Sequence, residues 1–461
     1  MVGTASTING IDFKMRDLKA DALRIFEAGL AAADGAEAIR RAVKLHSGKL
    51  VIESVDAEVC LSLDEFERVF LVGGGKAGTP MAEALLEVIG KDSITQGAIA
   101  IPLGSDRPDI PANIDVIEAT HPLPSEAAAS GARRMIELAQ ETTENDLIIF
   151  LLSGGASAML PLPVEGVSLS DKVETTKQLL ASGATIDETN AIRKHISAIK
   201  GGQFVKAACP ARVISLIISD VIGDRLESIG SGPTFKNTTT FADCLEIVGR
   251  YRLSRKLPKA VLKHLSDGAL GRFAGPEDVP EEVFERCDNV VVCSNGLALT
   301  ACQRVAEELG YSTVNLGSRI FGEAREVAKV MVGIARSAQA HGHPAKPPCC
   351  IISGGELTVT LAGDGVGGRN LEFTLAAGLH LQGTDGILIL SAGTDGIDGS
   401  SDAAGAIADG GTVSRGGYEA MEIADYLDRN DSFSYLDAID DTIVTGRTGT
   451  NVMDIRLAMV G

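Results

Sequence analysis

The stretch Phe70-Leu71-Val72-Gly73-Gly74-Gly75-Lys76-Ala77-Gly78-Thr79-Pro80 sets a lysine among four glycines, between an apolar strand and the start of a helix. Glycines let the backbone approach a bound group, a helix start offers N–H donors and a positive dipole end, and Lys76 adds a mobile full charge. Together these suit a phosphate, although a tight strand-to-helix turn accounts for the same glycines. The segment also satisfies G-x-G-x-x-G, the pattern of a dinucleotide site. The next apolar run, Gly97-Ala-Ile-Ala-Ile-Pro102, ends without the acidic residue that reads a ribose.

Outward from this turn the pattern repeats. Residues 69–72, 98–101, 115–118, 147–152 and 213–219 read as short apolar strands that end in small-residue turns and feed helices. Such alternation implies an α/β fold with a Rossmann-like, doubly wound parallel sheet, whose ligands sit at the carboxyl ends of strands. Residues 16–46 read as one helix with Leu18, Leu23, Ile25, Phe26, Leu30 and Ile39 on its apolar stripe, a helix long enough to serve a homodimer. A charge-richer stretch over 236–288 reads as peripheral helices, and a second βα series starts at Asn289-Val-Val-Val-Cys-Ser-Asn295. There follow an expected helix at 296–310, strand at 312–316, loop at 338–348, strand at 349–353, hairpin at 356–362, helix at 370–381 and strand at 386–391. The expected division is a Rossmann-like domain over 1–240, a helical connection over 241–288 and a second α/β domain over 289–461.

Composition narrows the function classes. The net charge of −20, with no Lys/Arg-rich block, argues against nucleic acid and anionic membrane as partners. With no Trp and 4% aromatic residues, the chain lacks stacking platforms for single strands. Eight cysteines without C-x-x-C spacing read as reduced thiols of a cytoplasmic protein. No signal peptide is expected at the N-terminus, and no apolar run reaches the roughly 18 residues a membrane span needs.

Further turns carry polar groups. In Leu152-Ser153-Gly154-Gly155-Ala156-Ser157, backbone amides and two hydroxyls can face one point as an anion nest. Ile218-Ser219-Asp220-Val-Ile-Gly223-Asp224, with Gly230-Ser-Gly-Pro-Thr234 behind it, supplies carboxylates able to hold Mg²⁺ or accept a hydroxyl proton. Ser353-Gly-Gly-Glu356 precedes Gly367-Gly-Arg369-Asn370, where an arginine fork at a helix start can bind phosphate or carboxylate bidentately. Ala392-Gly-Thr-Asp395-Gly-Ile-Asp398 lacks the closing Glu of a calcium loop. His121, beside Pro122, reads as a catalytic group or as a hydrogen-bonding strut. In the run 190–202, Arg193, Ser197 and Lys200 fall on one helical face, either solvated or reaching a phosphate. The Walker lysine pattern and the H-R-D and D-F-G motifs of protein kinases are absent.

Taken in order, Val72 to Gly78, His121-Pro-Leu-Pro-Ser-Glu126, Leu152 to Ser157, Ile218 to Asp224, Gly230 to Thr234, Ser353 to Glu356, Gly367 to Asn370, Gly393-Thr-Asp-Gly-Ile-Asp-Gly399 and Thr445-Gly-Arg-Thr-Gly-Thr-Asn451 closely resemble the class II glycerate kinases. The C-terminal part of that family is called the MOFRL domain, here about 349–458. The resemblance implies two α/β domains with an active-site cleft between them, and transfer from ATP, with Mg²⁺, to D-glycerate, usually giving 2-phosphoglycerate. It makes Lys76 and Arg369 the catalytic pair. Candidate substrate or nucleotide contacts are Gly74, Gly75, Ser153, Gly154, Gly155, Ser157, Lys200, Glu356, Asn370 and Asp395, with Asp220 and Asp395 as candidate metal ligands. An NAD(P)-dependent hydroxypyruvate or tartronate semialdehyde reductase is the rival enzyme, and a non-catalytic phosphate-binding regulator the rival of another class.

Overall fold

The computed structural model describes residues 17–54, 57–106, 108–419 and 421–461, so the leader reading and the first residue of the expected N-terminal helix lie outside it. Two compact units make up the chain: Leu30–Ala298 with Arg447–Met453, and Leu299–Gly446 with Asp454–Gly461 and the described residues of Met1–Gly29. No described helix is long and apolar enough to cross a membrane.

The single helix expected over 16–46 is two helices and a strand. Helix α1 (Leu18–Ala33) stops at Asp34, whose carboxylate accepts from the Glu37 N–H at 2.9 Å and caps α2 (Gly35–Ala42). β1 (Val43–His46) turns through Ser47-Gly48, at φ 51° and 79°, into β2 (Lys49–Glu53). With β3 (Glu58–Ser62) these strands form a small antiparallel sheet that the sequence reading missed.

The main sheet of the first unit comprises β4 (Arg68–Gly74), β5 (Gln96–Pro102), β6 (Ile114–Ala119), β7 (Asp146–Leu152), β8 (Arg212–Ile218) and β9 (Cys287–Cys293). It is parallel throughout, in the order β6-β5-β4-β7-β8-β9. Every residue of β7 is buried, as a parallel strand covered by helices on both faces requires. The strand expected to open a second series, β9, instead closes this sheet beside β8. The helices are α3 (Gly78–Ile89), α4 (Glu126–Gln140), α5 (Ala156–Met159), α6 (Leu169–Ala181), α7 (Ile186–His195), α8 (Gln203–Ala208), α9 (Phe241–Arg250), α10 (Lys259–Ala269) and α11 (Glu281–Phe284). Leu179, Ile192, Phe241, Cys244 and Leu265 pack α6, α7, α9 and α10 into one helical cluster. Counted from β4, the strand order is that of a doubly wound sheet, and its direction of winding reverses between β4 and β7. A crevice opens outside the carboxyl ends of strands at such a reversal.

In the second unit, α12 (Asn295–Glu308), β10 (Ser312–Asn315) and α13 (Ala324–His341) precede β11 (Cys349–Gly355), and α13 takes up the first residues of the expected 338–348 loop. The expected hairpin at 356–362 forms no ladder; Thr358 makes an isolated bridge with Glu323. After α14 (Arg369–Leu381) come β12 (Ile387–Gly393), β13 (Gly405–Asp409), β14 (Thr442–Ile443) and β15 (Asp454–Val460). β15 runs antiparallel between β11 and β12, opposing Asp454 to both Gly355 and Gly393. One carboxylate-bearing residue is thus inserted between the carboxyl ends of two strands.

Candidate active site

At the winding reversal, the loop after β4 lies on the turn after β7. Gly75 has φ 141°, and any Cβ there would overlap the Ser153 side chain and carbonyl. Gly75 N–H donates to Ala100 O at 3.2 Å, Lys76 N–H to Gly154 O at 2.7 Å and Gly78 N–H to Gly75 O at 3.0 Å. Ala77 N–H donates to Ser153 Oγ at 3.1 Å. The expectation of unpaired donors in this loop is therefore corrected for Gly75, Lys76, Ala77 and Gly78, whose amides hold the loop to itself and to its neighbours. On the facing turn, the amides of Gly154 and Gly155 have no acceptor among the described residues. A Cβ on Gly155, at φ 83°, would stand 3.3 Å from Lys76 Cγ and 3.2 Å from His121 Cδ2. One on Gly154 would press against Asp220 Oδ2 at 2.5 Å. Lys76, His121 and Asp220 thus surround one short piece of bare backbone.

Beside this turn is a cavity of about 860 Å³ lined by, among others, Gly155, Ser157, Lys172, Arg193, Lys200 and Asp220. The single helical face expected over 190–202 does not exist, because α7 ends at His195 and Lys200 lies in a following turn. That turn is pinned where Gly201 N–H meets Ser231 O at 3.1 Å and Gly202 N–H meets Gly232 O at 2.9 Å. Lys200 Nζ donates to Ser157 Oγ at 3.2 Å and Gly230 O at 3.0 Å. Ser157 Oγ also meets Ser231 Oγ at 3.0 Å, so the Gly230 to Thr234 segment supports both residues. Burial, then repulsion from Lys172 and Arg193, holds the Lys200 ammonium well below its ordinary pKa.

Sequence reasoning missed Lys172, whose Nζ donates to Leu162 O at 3.3 Å and whose pKa burial, then Arg193, pushes down to about 7. A signal for it existed: Leu169, Lys172, Thr175 and Leu179 are the buried stripe of α6, and a lysine on such a stripe needs a reason.

The second unit holds another polar constellation. Arg369 opens α14 and grips Asp454 bidentately, Nε to Oδ2 and Nη2 to Oδ1 both at 2.8 Å, with Nη1 3.2 Å from Glu356 Oε1. Burial opposes the guanidinium's charge, but Asp454 and Glu356 outweigh it and raise its pKa. Asn370 is a buried hub: Nδ2 donates to Asp398 at 3.2 Å and Asp454 at 3.0 Å, while Oδ1 accepts from Ser391 Oγ at 2.6 Å. Burial raises the Asp398 carboxyl to about 6 despite N–H bonds from Asn370 and Leu371. Arg456, fully buried, meets Asp454 at 3.4 Å. Asp395 is half-buried and accepts from Ile397 N–H at 3.3 Å. Among the described residues no three His, Cys, Asp or Glu side chains converge as a metal cage. Mg²⁺ bound through substrate phosphates needs only one or two carboxylates, which Asp220 beside Gly154 can supply.

Residues 21–266 match the family described as "Domain of unknown function (DUF4147)", and 349–454 match the MOFRL family. A relative from Agrobacterium vitis that bears the provisional name hydroxypyruvate reductase is 42% identical, over 86% of this chain and 100% of its own. D-glycerate 2-kinase of Thermotoga maritima is 37% identical, over 86% of this chain and 91% of its own. The crystal structure of a Thermotoga maritima glycerate kinase superposes with a TM-score of 0.83 at 33% identity, covering 96% of this chain and 99% of that one. On the joined domains, the identity with kinases over most of both lengths and the shared fold, the chain belongs to the class II glycerate kinase family.

Proposed function

We infer that the chain transfers the γ-phosphoryl group of ATP to the 2-hydroxyl of D-glycerate, giving 2-phosphoglycerate and ADP. The observation that carries the phosphoryl chemistry is the meeting, at the sheet's winding reversal, of Lys76 with the acceptor-free amides of Gly154 and Gly155. In this reading the substrate oxygen attacks the γ-phosphorus, the bond to the bridging oxygen of ADP breaks, and Asp220 accepts the hydroxyl proton. Lys76 neutralises charge on the transferring group, the two amides donate to its oxygens, and Arg369 is the second catalytic cation that the family resemblance implies. Positioning and fixed charge do most of the work, because such transition states need little covalent help. Bound Mg²⁺ would supply further neutralisation at phosphate oxygens, with either Asp220 or Asp395 as the carboxylate able to hold it. Glu356 and Asn370 orient Arg369 through the contacts described. Eight unpaired cysteines fit an enzyme of the reducing cytoplasm.

A reductase reading draws on the provisional name of two Agrobacterium vitis relatives and on the G-x-G-x-x-G segment. It is opposed by β5, which runs out in Ile101-Pro102-Leu103 with no carboxylate to hold a ribose. The deciding assay supplies D-glycerate, ATP and Mg²⁺ and couples to enolase alone or to phosphoglycerate mutase plus enolase. Signal with enolase alone is expected. A need for the mutase would move the phosphate to the 3-hydroxyl, and NADPH or NADH oxidation by hydroxypyruvate without ADP formation would overturn the kinase reading.

A further inference from the structure

We propose that Lys172, Arg193 and Lys200 form the receptor for the carboxylate of the acceptor, so that this pocket selects a small hydroxy acid over an uncharged polyol. The assignment rests on the phosphotransfer reading for the reaction, but not for the ligand it names.

Three separate elements bring these cations together: Lys172 from α6, Arg193 from α7 and Lys200 from the turn before α8. All three line the cavity that also reaches Gly155 and Asp220. Lys172 is 6% exposed and Lys200 1%, and no member of the trio is in an ion pair among the described residues. Other buried cations of the chain are matched, Lys194 by Glu227 at 3.8 Å and Arg456 by Asp454 at 3.4 Å. An unmatched buried charge weakens a fold, and here several are set side by side. Their hydrogen-bond partners among the described residues are neutral oxygens: Leu162 O for Lys172, Thr176 Oγ1 for Arg193, and Ser157 Oγ with Gly230 O for Lys200. Burial depresses all three pKa values, and repulsion adds to it at Lys172, from Arg193, and at Lys200, from Lys172 and Arg193, strain that an anion would relieve.

The anion is a carboxylate rather than the nucleotide's phosphate for two reasons. Phosphate already has Lys76 and the Gly154 and Gly155 amides at the turn, whereas the cavity adds side-chain donors suited to charge-assisted bonds with a second, separate anion. The remaining walls set Leu123, Pro161 and Leu180 beside the polar His121, Glu174 and Lys177, and hold no Phe, Tyr or Trp on which a base could stack. Anchored there, an acid shares one cavity with the Asp220 carboxylate that would take its hydroxyl proton.

The test is calorimetric titration of the whole protein with D-glycerate, glycerol and ATP, on wild type and on Lys172→Met and Lys172→Arg, with steady-state kinetics alongside. Glycerate should bind wild type and glycerol should not. Lys172→Met should weaken glycerate at least tenfold and leave ATP within twofold, with partial recovery in Lys172→Arg. Unliganded Lys172→Met should melt at or above the wild-type temperature, which a merely structural lysine would not do. Loss of ATP binding with glycerate retained would overturn the proposal in favour of a phosphate site, and unchanged glycerate binding in Lys172→Met would overturn it outright. If wild type fails to phosphorylate glycerate, the reaction reading falls, and the pocket is judged by binding of glycerate, lactate and hydroxypyruvate. Binding of none of these acids would end it.

Discussion

Single residues in the two constellations carry different burdens. Lys76 is half-buried on a loop whose main chain is held by hydrogen bonds to neighbouring segments. Lys76→Met should lower kcat by about 10² to 10³, the cost of removing one preorganised charge-stabilising donor, and leave the melting temperature within a degree or two. A parallel loss of stability would remove Lys76 from the chemistry. Arg369 differs, because Asp454 is fully buried and depends on it. Arg369→Ala should cost about 3 to 5 kcal/mol in urea unfolding as well as activity, since it removes the bidentate cation of a fully buried carboxylate, with Arg456 farther off at 3.4 Å. Lys172 gives a pH signature. Its folded pKa of about 7 lies below the unfolded value of 10.5, so the unfolded chain binds the extra proton between those values and stability rises with pH across them. Lys172→Met should therefore melt above wild type at pH 7 and below, with the gap closing towards pH 10. A gap that stays constant with pH would show that Lys172 is not held charged at a cost. At this scale Lys76, Arg369, Asp220 and Lys200 were legible as charges beside glycine turns. Lys172 was not, because a lysine inside an amphipathic helix looks like any other until its face is known to be buried.

At the scale of elements, parallel strands were legible because burial on both faces makes them short continuous apolar runs, as in Leu147 to Leu152. The hairpin at Ser47-Gly48 and the cap at Asp34 carried readable signals, yet the helical periodicity around them dominated. The 356–362 segment alternates like a hairpin but finds its partner in Glu323, far back in the chain. The contact that matters most for the site is the seat of the β4 turn on the β7 turn. Gly75→Ala combines a left-handed φ of 141° with overlap on Ser153, so it should cost at least about 2 kcal/mol and reduce activity with it. A urea midpoint unchanged from wild type would mean that the two turns are not locked together as described.

At the scale of the molecule, β15 holds the second sheet together from the end of the chain. It is a fully buried strand lying between β11 and β12, and it delivers Asp454 and Arg456. Truncation after Met453 should abolish the cooperative fold of the second unit, read as lost far-ultraviolet ellipticity and rapid proteolysis within 299–446. A stable truncated protein would contradict the central place of β15. The MOFRL match ends at Asp454, the first residue of that strand, so a fragment cut to the match should likewise fail to fold. The chain's charge of −20 adds a general repulsion of anionic substrates, which the buried cations oppose at short range where salt screens little.

The sequence by itself determined the α/β class, the glycine turns and the residue types poised at strand ends, because burial periodicity and backbone permissiveness are local properties written into neighbouring residues. Tertiary structure alone decided that β9 completes the first sheet, that β15 returns between β11 and β12, that the amides left for an anion are those of Gly154 and Gly155, and that Lys172 joins Arg193 and Lys200. Each of these depends on which distant segments pair or pack, and the free energy of that choice resides in contacts between residues far apart in the chain.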